Sequence, residues 1–142
     1  MLLCLNCYKI YNQKTIKNNM CKIKECYGDV VEIDELFVPV IAELNRKGYR
    51  TRYCCSGHYT KDSIITYIMF EDFIEFLYLP EGYNYDVSWT MRNGNTDIEK
   101  YIDKNKSFNE LSKDIFNNAV SVLEWAEGLE EYKEQEESNV NL

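Results

Sequence analysis

The sequence predicts an α+β protein, a small and mainly antiparallel sheet packed by helices, preceded by a cysteine-rich segment. Three observations carry that reading. Four cysteines fall in two close pairs within the first 26 residues, short stretches alternate β-branched and aromatic residues at period two, and the last third holds a capped amphipathic helix. At 142 residues, 45% of them hydrophobic, the chain has material for one ordinary core and a small stapled appendage.

The first element is Cys4-Leu-Asn-Cys7 followed by Cys21-Lys-Ile-Lys-Glu-Cys26. Thiolates are soft ligands suited to zinc, and a spacer of two to four residues lets both sulfurs of a turn face one ion. Cys4, Cys7, Cys21 and Cys26 are therefore expected to form a zinc ribbon around a structural Zn2+. Four thiolates fill the tetrahedron and leave no position for catalysis. The alternatives for the same residues are metal-free thiols or a disulfide formed on oxidation. Tyr8 to Met20, polar and rich in Lys and Asn, reads as a hairpin with an exposed loop, and Gly28 as the turn after the last ligand. The chain divides accordingly into a zinc-ribbon-like segment (1–30), an α+β domain (31–134) and an acidic flexible tail (135–142).

A helix is predicted from Asp34, a good N-cap, with Ile33 stapling the entry. Leu36, Phe37, Val40, Ile41 and Leu44 share one face, Gly48 ends the helix, and Pro39 kinks it or delays its start. Residues 49–54 read as a strand with Tyr49, Thr51 and Tyr53 on one face and Arg50, Arg52 and Cys54 on the other. A turn is expected at Cys55-Ser56-Gly57-His58, then a largely buried strand from Ile64 to Phe70. Glu71-Asp72 opens a predicted short helix through Leu77 that ends before Pro80. A third strand is predicted from Tyr85 to Met91, a turn at Asn93-Gly94, and a short helix from Thr96 to Ile102. Ser107 and Glu110 make a capping box for the long final helix. Its stripe is Phe108, Leu111, Ile115, Ala119, Val122, Ala126 and Leu129.

The second chemical feature is the strand end itself. Arg50 and Arg52 can offer bidentate contacts to a phosphate or carboxylate, and Gly57 at positive φ beside Ser56 can shape an anion nest. His58, the sole histidine, is a candidate base or a partner that lowers the pKa of Cys54 or Cys55. Arg50, Arg52, Cys54, Cys55, Ser56, Gly57 and His58 are thus the candidate ligand-binding set. A second metal site through Cys54, Cys55 and His58 would need a bulge, because adjacent strand residues face opposite ways. The competing reading is inert packing for the cysteines and solvated surface for the rest.

Charge is polarised. Residues 1–26 carry Lys9, Lys14, Lys17, Lys22 and Lys24 against Glu25, while residues 107–142 are strongly acidic within a net charge of −8. A polyanion is repelled overall, so nucleic-acid binding through the basic ribbon ranks below a protein partner or a small anionic ligand. No apolar run nears the ~20 residues that span a bilayer, and the start lacks a signal-peptide pattern, so a cytoplasmic location with reduced thiols is expected. Gly-rich phosphate loops, HExxH and GxSxG are missing, and His58-Tyr-Thr is not the H-x-E of a zinc deaminase.

The ribbon, Val31-Glu-Ile-Asp-Glu-Leu36, Gly48-Tyr-x-Thr-x-Tyr-Cys-Cys-Ser-Gly-His58 and Tyr67-Ile68-x-Phe70 together resemble small uncharacterised proteins of Firmicutes and their phages. That resemblance covers the first half and implies no activity. It agrees with a composition rich in Lys, Ile, Asn and Tyr, which suggests an AT-rich bacterial or phage genome. Residues 51–57 are also remotely similar to the Ser-Cys-Ser-Gly-Arg segment of wybutosine-synthesising methyltransferases, which bind S-adenosylmethionine and act on tRNA. His58 stands where that family has Arg, so no catalytic residue carries over. The sequence therefore points first to a zinc-binding, non-enzymatic adaptor or modulator. The alternative is a nucleotide- or RNA-directed enzyme or sensor using Arg50, Arg52, Ser56 and His58.

Overall fold

In the computed structural model, which describes residues 2–11 and 20–133, the chain is α+β and builds two antiparallel sheets. The loop of the expected hairpin, with Lys14 and Lys17, and the acidic tail beyond residue 133 lie outside the described residues. The first sheet has the order β2 (Ile10–Tyr11), β1 (Leu2–Cys4), β3 (Val30–Glu32). Leu3 of β1 is 1% exposed and belongs to the main core, so the cysteine segment is anchored on the larger domain.

Asp34 caps a 3-10 turn at Glu35–Phe37, accepting from the Leu36 amide at 3.3 Å, and α1 (Val38–Arg46) follows. Pro39 lies in the first turn of α1, where its missing N–H costs nothing, so it delays the helix rather than kinking it. Phe37, Val40, Ile41 and Leu44 are fully buried. Leu36 is exposed, because the 3-10 turn rotates it off that face.

The second sheet has the order β4 (Thr51–Tyr59), β5 (Ile64–Phe70), β7 (Asp97–Ile102), β6 (Asn84–Tyr85). The turn expected at residues 55–58 is absent, and β4 runs through it to Tyr59. Two register shifts against β5 make that possible. Thr51 pairs with Phe70 and Tyr53 with Met69, then Cys55 pairs with Tyr67 and His58 with Ile65. Each shift inserts one extra residue on β4, as in a β-bulge. The first puts Thr51 and Cys54 on the inner face and Tyr53 on the outer, which breaks the expected Tyr49/Thr51/Tyr53 alignment.

Helix α2 (Val87–Asn93) stands where a strand was expected, and β7 stands where a short helix was expected. Asp86 caps α2 by accepting from the Trp89 amide at 3.0 Å, and Gly94 closes it at φ 79°. Val87 and Met91 are exposed, so their alternation with Trp89 reports no buried face. Residues 71–77 form no helix because their backbone is bonded elsewhere. The Ile74 amide donates to Thr96 Oγ1 at 2.8 Å and the Phe76 amide to the Tyr85 hydroxyl at 2.8 Å.

The last helix, α3 (Phe108–Gly128), begins at the Ser107 cap, which accepts from the Glu110 amide. Leu111, Ala119, Val122 and Ala126 are buried as the stripe predicts, while Phe108 is exposed. Trp125 and Asn118 are buried too. Burying Val122 completely contributes on the order of 2 kcal/mol. Buried Lys47, just past α1, donates to the carbonyls of Ala126, Glu127 and Leu129 at 2.9, 2.6 and 2.6 Å. It thereby satisfies the free acceptors and negative dipole end of α3. Helices α1 and α3 share one core with Ile68, Phe70 and Ile98. The other sheet face carries Tyr53, Cys55 and His58 on β4, Ile65, Tyr67 and Met69 on β5, and Asp97, Glu99 and Tyr101 on β7. No helix among the described residues is long and apolar enough to cross a membrane.

Candidate metal centre

Two irregular turns bring the N-terminal thiols together. Cys4 ends β1, and the chain reverses so that the Tyr8 amide reaches the Cys4 carbonyl at 2.9 Å and the Cys4 amide reaches the Lys9 carbonyl at 3.0 Å. Tyr8 takes φ 63° to close that turn. On the other side the Cys21 amide donates to the Gly28 carbonyl at 2.9 Å and the Cys26 amide to the Ile23 carbonyl at 3.1 Å. Glu25 and Tyr27 are left-handed at φ 64° and 53°. All three positive-φ residues that are not glycine, among the described residues, lie in this segment. Such backbone costs of order 1 kcal/mol or more at each position and persists where surrounding structure enforces it.

The result is a compact set of sulfurs. All four Sγ atoms lie within 4.8 Å of one another, with Cys4 to Cys26 at 3.7 Å and Cys7 to Cys21 at 3.5 Å. Zinc–sulfur bonds of about 2.3 Å in a tetrahedron put sulfurs about 3.8 Å apart, so the set is compatible with one Zn2+. Gly28 defends the closeness. A Cβ there would stand 2.5 Å from Cys4 Sγ and 2.6 Å from Asn6 Cβ. Its role is close approach, since its φ lies outside the left-handed range.

Two residues that the spacing did not single out orient the sulfurs. Asn6 Nδ2 donates to Cys26 Sγ at 3.3 Å and to the Cys26 carbonyl at 3.1 Å. The Tyr11 hydroxyl lies 3.1 Å from Cys21 Sγ and accepts from the Lys22 amide at 3.0 Å, which leaves its proton for the sulfur. Backbone amides of Asn6 and Cys7 reach Cys4 Sγ at 3.4 and 3.5 Å. Such donors stabilise thiolates and fix ligands from outside the coordination shell. The Tyr11 contact is the main reason that the Cys21 thiol falls to about 6, and the Asn6 contact lowers Cys26. Cys7 goes the other way. The Lys9 backbone lowers it, but burial and the hydrogen bonds of the other thiols together outweigh that and raise it to about 12. Apolar support is slight, because the local core is Cys4, Tyr11, Cys21 and Val30 with Leu2 and Cys26 against it. Beyond that cluster, Leu3, Leu5, Tyr8 and Val31 pack on the main core.

The second cysteine segment is arranged differently. Cys54 faces inward opposite Ile68, and Cys55 faces outward opposite Tyr67. Burial pushes the Cys54 thiol up to about 12 and also raises Cys55. Among the described residues, Cys54, Cys55 and His58 form no metal-sized group. Arg50 is engaged by Asp72 in a two-pronged pair at 2.7 and 3.2 Å, and Arg52 stacks over Tyr53 at 5.7 Å. Ser56 is buried and its amide donates to Asp34 Oδ2 at 3.2 Å, so a carboxylate of this chain already takes that donor. Gly57 is not left-handed, and its Cα faces Ile115 and Ile64 at ordinary contact distance for a Cβ. His58 is exposed on the outer face with Cys55. The bulge unites those two and leaves Cys54 behind.

Of the basic residues, Lys22 and Lys24 are exposed and Lys9 lies over the Tyr11 ring at 5.1 Å. A cleft of about 1130 Å3, lined by Tyr49, Phe76, Tyr78 and Tyr132 among others, contains none of the seven strand-segment candidates. Comparison of the chain with protein-family models, with curated proteins and with solved structures gave no match in any of the three.

Proposed function

We propose that this protein is a zinc-stapled, non-enzymatic binding protein, an adaptor or modulator that engages a protein partner or a small anionic ligand in the cytoplasm. One observation carries the reading: the four clustered thiols. Four sulfur ligands complete the zinc tetrahedron, so the ion has no position for water or substrate and serves to hold backbone. A cell interior keeps such thiols reduced and ready for metal.

The strand segment supports the same reading from the other side. A thiol held near 12 is a poor nucleophile, and Cys54 faces away from His58. The nucleotide- or RNA-directed alternative needs Arg50 and the Ser56 amide free for a ligand, yet Asp72 and Asp34 occupy them. What the outer sheet face offers instead is contact area, with Tyr53 59% and Tyr101 60% exposed beside His58 and Cys55. Aromatic side chains of this kind are favoured anchors in protein interfaces. The phage-related origin suggested by the Cys-Cys-Ser-Gly-His string fits a modulator of a host complex.

The test is a turnover and binding screen of the zinc-loaded chain against nucleotides, phosphoesters and S-adenosylmethionine, followed by mass spectrometry and calorimetry. The expected result is no product above the background rate. Turnover that disappears in His58→Ala or Cys55→Ser would replace this reading with the enzymatic one. A ligand-induced rise in Tm that disappears in Arg52→Ala would favour the sensor.

A further inference from the structure

A second group of ligating side chains lies away from the cysteines, on the outer sheet face and its α2 border. Asp97 and Glu99 are two apart on β7 and so share a face, and Asp86 stands at the junction of β6 and α2. The backbone sets this meeting. The Asp86 amide donates to the Asp97 carbonyl at 2.9 Å, and Asn84 pairs with Glu99. One carboxylate oxygen from each of the three lies within 4.8 Å of the others.

Clustered acids at a surface are common and need no ligand. Here one member is not at the surface. Asp97 is only 6% exposed, and its Oδ1 is buried without a hydrogen-bond partner among the described residues. Among the described residues the other two carboxylates have single neutral contacts: Asp86 Oδ1 accepts from the Trp89 amide at 3.0 Å, and Glu99 Oε1 from the Tyr101 hydroxyl at 3.4 Å. None of the three makes a salt bridge among the described residues. A buried, unpartnered carboxylate beside two more is costly in a folded protein unless a cation or proton joins it.

We infer that Asp86, Asp97 and Glu99 form a binding site for a hard divalent cation, Ca2+ in the first place. Carboxylate oxygens select hard ions, in contrast to the soft thiols of the ribbon. Ca2+ bonds of 2.3–2.6 Å allow two oxygens on one ion to stand up to about 5 Å apart. Mg2+ demands near-ideal octahedral geometry and sheds water reluctantly, which three carboxylates alone do not enforce. Three protein carboxylates leave coordination positions for water or for an oxygen of a bound partner. The site thus differs from the ribbon in kind as well as in ligand.

The test uses the full-length, zinc-loaded chain, titrated with Ca2+, Mg2+ and Mn2+ by calorimetry, with Tm read in parallel. One equivalent of Ca2+ is expected, with a rise in Tm and affinity at least tenfold above that for Mg2+. Asp97→Asn removes a charge while keeping shape, and should weaken Ca2+ at least a hundredfold without unfolding the protein. Asp86→Asn is the second variant. Asn caps a helix as well as Asp does, so α2 survives while a charged ligand is lost. Uptake abolished in both variants supports the site. No stoichiometric uptake at millimolar cation, or uptake unchanged in Asp97→Asn and Asp86→Asn, overturns it. Zinc content of the ribbon should be the same throughout, so failure here leaves the ribbon reading standing.

Discussion

The chain carries thiols in two places and treats them in opposite ways. Between residues 4 and 26, four sulfurs come within 4.8 Å of one another. At residues 54 and 55, two adjacent sulfurs end on opposite faces of β4. The difference lies in the backbone beneath them. The first set rides on turns whose left-handed residues, Tyr8, Glu25 and Tyr27, curl the chain around a point. The second rides on a strand, where period two separates neighbours whatever their chemistry. Convergence of ligands is thus a property of the turn, and residue type alone does not supply it.

Removing metal is the strongest way to probe that contrast. Chelation should unfold the cysteine segment at residues 2–11 and 20–32, since structural zinc supplies roughly 10 kcal/mol of folding free energy in modules of this size. Limited proteolysis should then cut the segment, while far-UV circular dichroism should keep the signal of α3. Loss of the α3 signal as well would mean that Leu3 couples the two parts into one cooperative unit.

The glycines sharpen the comparison. Gly28→Ala drives a Cβ to 2.5 Å from Cys4 Sγ and should cost about 1–3 kcal/mol, read as weaker zinc retention against a competing chelator. Gly57→Ala meets Ile115 and Ile64 no closer than 3.4 Å, and should change Tm by much less. Equal effects would break the distinction. Next in size is Tyr11→Phe, which removes the hydroxyl that touches Cys21 Sγ and the Lys22 amide. A loss of about 1 kcal/mol in a chelator-competition assay is expected.

Thiol reactivity separates the two members of the second set. With its pKa near 12 against an ordinary 9.0, Cys54 should hold about a thousandfold less thiolate at pH 8 than an ordinary cysteine. Alkylation of the zinc-loaded protein followed by mass mapping should therefore label Cys55 before Cys54. The smallest effect is Arg50→Ala. Its pair with Asp72 is exposed, so well under 1 kcal/mol is expected by chemical denaturation.

Several of these features are legible in the sequence. The four ribbon cysteines follow from spacing, and α3 follows from Ser107, Glu110 and an apolar stripe that the core confirms at Leu111, Ala119, Val122 and Ala126. Other features depend on partners far along the chain. The extra residues of β4 exist only relative to β5, so no local pattern reveals them. The exchange of α2 and β7 has a different cause. Nothing in α2 is buried, so its apolar residues carry no face to read, whereas Asp86 and Gly94 were usable end signals. Residues 71–77 look like a capped helix locally, but Thr96 and Tyr85 take their amides. Asp97 was missed for the same reason: its burial depends on tertiary neighbours that no local pattern places beside it.

The most direct measurement is metal per chain by elemental analysis of untagged protein. Wild type is compared with the double variants Cys4→Ser/Cys7→Ser and Cys54→Ser/Cys55→Ser. One zinc is expected in wild type and in the second variant, and none in the first. Zinc-free wild type, or zinc lost when Cys54 and Cys55 are replaced, would contradict it.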